Sequence, residues 1–122
     1  YLHRSQNQQA VECLQRAAEL KPSDAAIRTN LATALMPLDR YEEAIEEAKK
    51  SMRLEPNSII PYIYLAIAYI QVGREEEARL EAKKVFYINP KFSLERWGRM
   101  LPFKHETDRE MILGALRKAG LK

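Results

Sequence analysis

Apolar and small residues recur three and four apart along most of the chain, the spacing that lines one face of an α-helix. They fall in five stretches and predict helices over 7–20, 24–37, 41–54, 58–72 and 75–88. The stretches also resemble one another. Pro22, Pro56 and Pro90 stand 34 residues apart, each just after a helical run. On that register Leu31 and Ala32 align with Leu65 and Ala66, and Leu35 aligns with Tyr69. Ala10, Ala44 and Ala78 line up, as do Leu14, Ala48 and Ala82. A fixed period of this length marks stacked repeats, each a small unit that buries its apolar face against its neighbours.

The residue types suit paired helices. Ala32, Ala44, Ala66 and Ala78 are small enough for two backbones to approach, and Leu31, Leu35, Leu65 and Tyr69 fill the seam between them. Proline cannot continue a helix and ends each unit. Ser23-Asp24 and Asn57-Ser58 then supply side-chain oxygens to cap the next helix. Pro61 falls in a first turn, where a missing N–H costs little. Pro37 falls in a last turn and predicts a kink or an early end. Gly73 makes the turn between paired helices.

This pattern resembles the tetratricopeptide repeat, whose signature is W-x2-L-G-x2-Y, then A-x3-F, then P. One unit reads Arg28, Leu31, Ala32, Leu35, Ala44, Ala48, Pro56; the next reads Tyr62, Leu65, Ala66, Tyr69, Ala78, Ala82, Pro90. The resemblance implies an all-α, right-handed solenoid of helical hairpins over residues 1–90. These comprise a truncated first repeat followed by repeats at 25–56 and 59–90. Tyr1 aligns with Leu35 and Tyr69, late in a first helix, so the chain is expected to be a fragment with a further domain upstream.

Residues 91–122 break the pattern and are expected to form C-terminal capping helices. Ser93 caps a short helix carrying Leu94, Trp97 and Leu101, and Pro102 stops it. Thr107 and Glu110 form a capping box. Met111, Ile112, Ala115, Leu116 and Ala119 then make an apolar stripe over 107–119, and Gly120 ends it. The segment Pro90-Lys91-Phe92-Ser93-Leu94-Glu95-Arg96-Trp97, followed by Leu116 to Leu121, resembles the extreme C-terminus of certain bacterial multidomain proteins. Those join a class III adenylate or guanylate cyclase domain, or a winged-helix DNA-binding domain, to tetratricopeptide repeats. The resemblance implies such a domain upstream, with the repeats serving its regulation and dimerisation.

Composition narrows the chemistry. Ala, Leu, Glu, Lys and Arg dominate, only 4 Gly are present, and no apolar run approaches the roughly 20 residues needed to span a bilayer. The net charge of +3 divides into −1 over residues 1–90 and +4 over 91–122. The basic tail lacks the dense, aromatic-rich clusters of nucleic-acid proteins, so it is expected to be a solvated face. Cys13 has no partner for a disulfide and is expected to be a packed thiol in a reducing cytoplasm. His3 and His105 lie at opposite ends, and His105-Glu106 lacks the second histidine of H-E-x-x-H. Glu42-Glu43 and Glu75-Glu76-Glu77 are first-turn acids favoured by the helix dipole. No catalytic group, metal site or cofactor is expected, and the chain by itself is not expected to be an enzyme.

Binding is the remaining expectation. In the family it resembles, the first helix of each hairpin lines a concave groove. That implies Ala26, Thr29, Asn30, Thr33 and Met36 in one repeat and Ile60, Ile63, Tyr64, Ile67, Ile70 and Gln71 in the next. Some relatives clamp peptide carboxylates there with Lys, Arg and Asn. Asn30 stands at one such position, but Ile60 and Tyr64 replace the basic partners, so no carboxylate clamp is expected. Helix 58–72 is apolar nearly all round, and such a helix should be covered on every side. Four covers are open: the tail helix, a second copy of the chain, the upstream domain, or a helix of a protein or peptide partner.

Overall fold

The computed structural model describes residues 2–99 and 106–121, with side chains placed for 6–99 and 110–121. Tyr1, Leu101, Pro102 and His105, and the side chains of His3 and Thr107, therefore lie outside the described residues. Among those described there are seven α-helices and no strand: α1 (Leu2–Leu20), α2 (Ala25–Leu35), α3 (Tyr41–Leu54), α4 (Ile60–Gln71), α5 (Glu75–Ile88), α6 (Leu94–Arg99) and α7 (Glu106–Lys118). The helix α3 and the helix α5 have the expected bounds, whereas α1 starts five residues early and runs unbroken from Leu2.

Local chemistry sets the ends. The Asp24 carboxylate accepts from the N–H of Ala26 at 3.0 Å and of Ile27 at 3.3 Å. Ser58 Oγ accepts from Ile60 N–H at 3.4 Å, and Pro61 sits in the first turn of α4. Pro37 does end α2 early, because its ring cannot donate into the helix. A short 3₁₀ turn, Met36–Leu38, follows. Asp39 at φ 60° and Gly73 at φ 81° then reverse the chain at equivalent points of the two hairpins.

Those reversals lead into matching staples. Arg40 N–H donates to Leu35 C=O at 3.2 Å, and Arg74 N–H to Tyr69 C=O at 2.8 Å. Each arginine then grips a glutamate three residues on: Arg40 Nε meets Glu43 at 3.0 Å, and Arg74 Nε meets Glu77 at 2.7 Å. The Arg74 guanidinium also lies 4.8 Å from the Tyr69 ring centroid, a cation–π contact that only the second hairpin makes.

The core runs along the seams between helices. α2 packs on α3 and α4 on α5 within hairpins, while α3 packs on α4 and α1 on α2 between units. The aligned small residues Ala32, Ala44, Ala66 and Ala78 are all completely buried, as close helix crossings require. Cys13, expected to be packed, is exposed instead. It lies on α1 away from Val11 and Ala18, the residues buried there. Hence the face of α1 that meets α2 excludes it.

Candidate interaction groove

The first helices of the two complete hairpins differ in what they present. On α2, Ala26 and Asn30 are exposed and Thr29 and Thr33 are half-buried, while Met36 in the 3₁₀ turn that follows is buried. Thr29 shares a 2.7 Å hydrogen bond with Ser51 of α3, so its hydroxyl is spent inside the hairpin. Thr33 Oγ1 donates to the Thr29 carbonyl at 3.0 Å, within its own helix. Asn30 and Ala26 remain the solvent-facing part of this half.

On α4 the apolar residues go two ways. Tyr62, Leu65, Ala66 and Tyr69 are buried in the hairpin. Ile63 and Ile67, on a different side, are 0% and 1% exposed. The element that packs on α4 beyond its hairpin neighbours is α7, the tail helix. Its own stripe is buried at Ile112, Ala115, Leu116 and Ala119, with Leu121 just after it. Ile60, Tyr64 and Ile70 are half-buried and Gln71 is exposed, so they form a rim beside the covered pair. Two large isoleucines, each worth about 1.5–3 kcal/mol on burial, are thus removed from water on a helix against which the tail packs.

The short helix α6 supports this arrangement. Ser93 accepts from Arg96 N–H at 3.4 Å, and Leu94 and Phe92 are buried. Phe92 meets Phe86 of α5 edge-to-face, with ring centroids 6.0 Å apart. Gly98 faces Leu113 of α7 so closely that an added Cβ would come within 3.0 Å of a Leu113 methyl. At the far end Gly120, at φ 104°, lets Leu121 N–H return to the Leu116 carbonyl at 3.0 Å.

Among the described residues α7 packs chiefly on α4 and α6. In α3, which packs on the following hairpin, Tyr41 is half-buried and Ile45 is 1% exposed. The positions aligned with them in α5 are Glu75 and Arg79, an ion pair at 2.7 Å facing solvent. This polar flank was visible in the repeat alignment, as was the contrast of Thr29 and Thr33 with Ile63 and Ile67. Leu113 and Gly98, by contrast, belong to no repeat and carried no signal.

Other candidate chemistry is sparse. Among the described residues no group of three or more His, Cys, Asp or Glu could hold a metal ion. No described helix is long and apolar enough to cross a membrane. The tail cations Lys91, Arg96, Arg99, Arg117 and Lys118 are exposed, and Arg99 is paired with Glu95 at 2.6 Å.

Comparison with known proteins agrees with this architecture. The sequence profile of the tetratricopeptide repeat matches residues 1–57. The TPR2B domain of yeast Sti1, solved as a complex with pHsp70, superposes with a TM-score of 0.72 at 26% identity, over 98% of this chain and 86% of that one. The second TPR domain of human RPAP3, solved with the HSP70 peptide SGPTIEEVD, gives 0.72 at 19% identity, over 97% of this chain and 84% of that one. A structure of MamA gives 0.68 at 33% identity over 72% of this chain, which spans only 52% of that protein. No curated protein matches the sequence. With its 34-residue period, paired helices and buried small residues at each crossing, the chain folds as a tetratricopeptide-repeat domain.

Proposed function

We propose that the chain is a protein-interaction module that works through the groove side of α2 and α4 and has no catalysis of its own. One observation carries this reading: an apolar face on α4, not needed by its hairpin, that a helix covers. Solved neighbours of the same fold support it, since the RPAP3 domain holds an HSP70 peptide and the Sti1 domain is in complex with pHsp70. The partner chemistry differs, however. Ile60 and Tyr64 stand where a carboxylate clamp needs cations, so the preferred ligand is an apolar, helical segment rather than an acidic C-terminus. Peptides selected by display against the intact chain test the reading. Their binding should shift amide resonances of Asn30, Ile60, Tyr64 and Gln71, while SGPTIEEVD shifts none. Selected peptides that map only to the outer faces of α3 and α5 would overturn it.

The finer setting is also a proposal. An exposed, unpaired Cys13 suits a reducing cytoplasm. A cyclase or winged-helix domain upstream of the module is the setting we propose, supported by the likeness of residues 88–122 to the ends of such proteins. The chain alone should form no cyclic nucleotide from ATP or GTP with Mg²⁺.

A further inference from the structure

We propose that the Ala10–Leu14–Ala17–Leu20 face of α1 is a self-association surface and that α1 of a second copy, running antiparallel, covers it. This surface is separate from the groove side of α2 and α4, and the inference does not depend on how that groove is read.

The first support is a face that the repeat covers twice and leaves open once. The helix α2 packs on α3, and α4 packs on α5. As a result Ala44, Ala48 and Ser51, and their counterparts Ala78, Ala82 and Val85, are all buried. The aligned residues of α1 are Ala10, Leu14 and Ala17, and each is only half-buried. Leu20 continues the same helical stripe and is 83% exposed. The residues that α1 does bury, Val11 and Ala18, lie to one side of this stripe.

The second support is that α1 lacks the chemistry by which the other two hairpins close. Their reversals use Asp39 and Gly73 in the left-handed region, and both align with Ser5, where α1 is helical. Their staples, Arg40 to Glu43 and Arg74 to Glu77, align with Gln6 and Gln9, two neutral amides. The chain therefore does not turn back at this point to lay a first helix on α1. A cover from a second molecule needs no such turn.

The third support is charge. Glu47 holds Lys50 at 3.3 Å, and Glu81 holds Lys84 at 3.4 Å. Cys13 replaces the glutamate in α1, so the aligned cation, Arg16, loses that partner. Arg16 and Glu12 are both exposed, and neither makes an ion pair among the described residues. A two-fold axis near Cys13 and Leu14 sets Ala10 against Ala17 of the second copy, so the two backbones can approach closely. It also brings Arg16 beside Glu12 of the second copy, twice by symmetry. A parallel pair would instead bring Arg16 beside Lys21, a like-charge contact.

The test uses the intact chain under reducing conditions. Sedimentation equilibrium should give a dimer mass. Cys13→Glu with Leu20→Glu puts carboxylates on the face and should weaken association at least about tenfold. Both sites are exposed, so this variant should keep the circular dichroism of the unaltered chain. Arg16→Glu should weaken the dimer, and adding Glu12→Arg should restore it. A short bis-maleimide should join two copies through Cys13, and dilution below the dissociation constant should abolish the product. A chain that stays monomeric at high micromolar concentration overturns the inference, leaving the face to another cover. A dimer that tolerates both carboxylates and gives no Cys13 product associates elsewhere and overturns it as well. A dimer indifferent to the Arg16 and Glu12 exchanges overturns the antiparallel pairing.

Discussion

Arg28 on α2 donates from Nη1 to Glu47 Oε2 on α3 at 3.0 Å, with the two side chains 15% and 14% exposed. Arg28 stands where Tyr62 stands in the next repeat, so one hairpin closes this point with an ion pair and the other with an aromatic ring. Arg28 Nε is buried without a hydrogen-bond partner, a cost that the ring does not carry. Glu47→Ala would leave the guanidinium largely desolvated and unpaired, and should destabilise the fold by about 1.5–3 kcal/mol. Glu47→Gln with Arg28→Tyr should recover most of that loss, because both remaining groups suit a half-buried seam. Urea unfolding of the two variants and the unaltered chain checks this; equal midpoints for Glu47→Ala and the unaltered chain would show the pair to be inert.

Ala44 and Ala78 are both 0% exposed and sit at matching helix crossings. A side chain there has nowhere to go except between two backbones. Ala78→Leu should destabilise by about 1–3 kcal/mol through overpacking, and Ala44→Leu by a similar amount. Thermal melts without a loss at either position would mean that the 34-residue register does not describe the crossings.

Much of this architecture was legible because the repeat states it three times. The prolines, the aligned alanines and the capping residues mark the hairpins whether or not any single helix is obvious. The tail was different. Met111, Ile112, Ala115 and Leu116 announce a helix with one apolar face, but four covers for α4 remained open because amphipathicity names no partner. What decides between stacking on α5 and lying on α4 is the replacement of Tyr41 and Ile45 by Glu75 and Arg79. That signal is meaningful only once those positions are known to meet a neighbouring hairpin. Cys13 was misplaced for a related reason: helical spacing shows neighbours along α1, not which face α2 will cover.

The turn residues Asp39 and Gly73 offer a test free of packing effects. Gly73 has φ 81°, and an added Cβ would meet nothing within 4 Å, so any penalty comes from the backbone. Gly73→Val should cost about 1–2 kcal/mol, since β-branched residues avoid the left-handed region. Gly73→Asp should cost clearly less, because Asp39 already holds φ 60° at the equivalent turn. Chemical denaturation should rank the three chains in that order; equal losses would point to a role of the glycine beyond its backbone freedom.

Glu77 gives the fold a small acid sensitivity. Its hydrogen bonds from Arg74, followed by the charges of Arg74 and Lys49, lower its pKa from 4.5, against a smaller opposing effect of desolvation. A carboxylate that is more acidic when folded contributes stability above its unfolded pKa and loses it as pH falls through the folded one. The contribution is therefore present at neutral pH and disappears below 4.5. Because the pair is solvent-exposed, the effect should be slight and weakened by salt. Arg74→Gln should flatten this part of the Tm-against-pH curve; a slope identical to that of the unaltered chain would exclude the pair as its source.

Leu65 and Ile67 are each 1% exposed and two residues apart on α4, yet aspartate should act differently at each. Leu65 lies within the hairpin, where no element can leave without dismantling it. A carboxylate there must be buried, and the cost should exceed the few kcal/mol that hold a small domain together. Ile67 lies on the side that α7 covers. There the chain has an escape: releasing α7 hydrates the new carboxylate, so the penalty cannot exceed the free energy of seating the tail. Leu65→Asp should thus give an unfolded or aggregating chain. Ile67→Asp should keep the cooperative transition of α1–α5, with a lowered Tm, a far-UV signal reduced by about one helix, and α7 amides that exchange freely. Circular dichroism and hydrogen exchange separate the outcomes. Global unfolding of Ile67→Asp would make α7 as integral to the core as α5, and the seam between tail and repeats would then be a core contact rather than a docking surface.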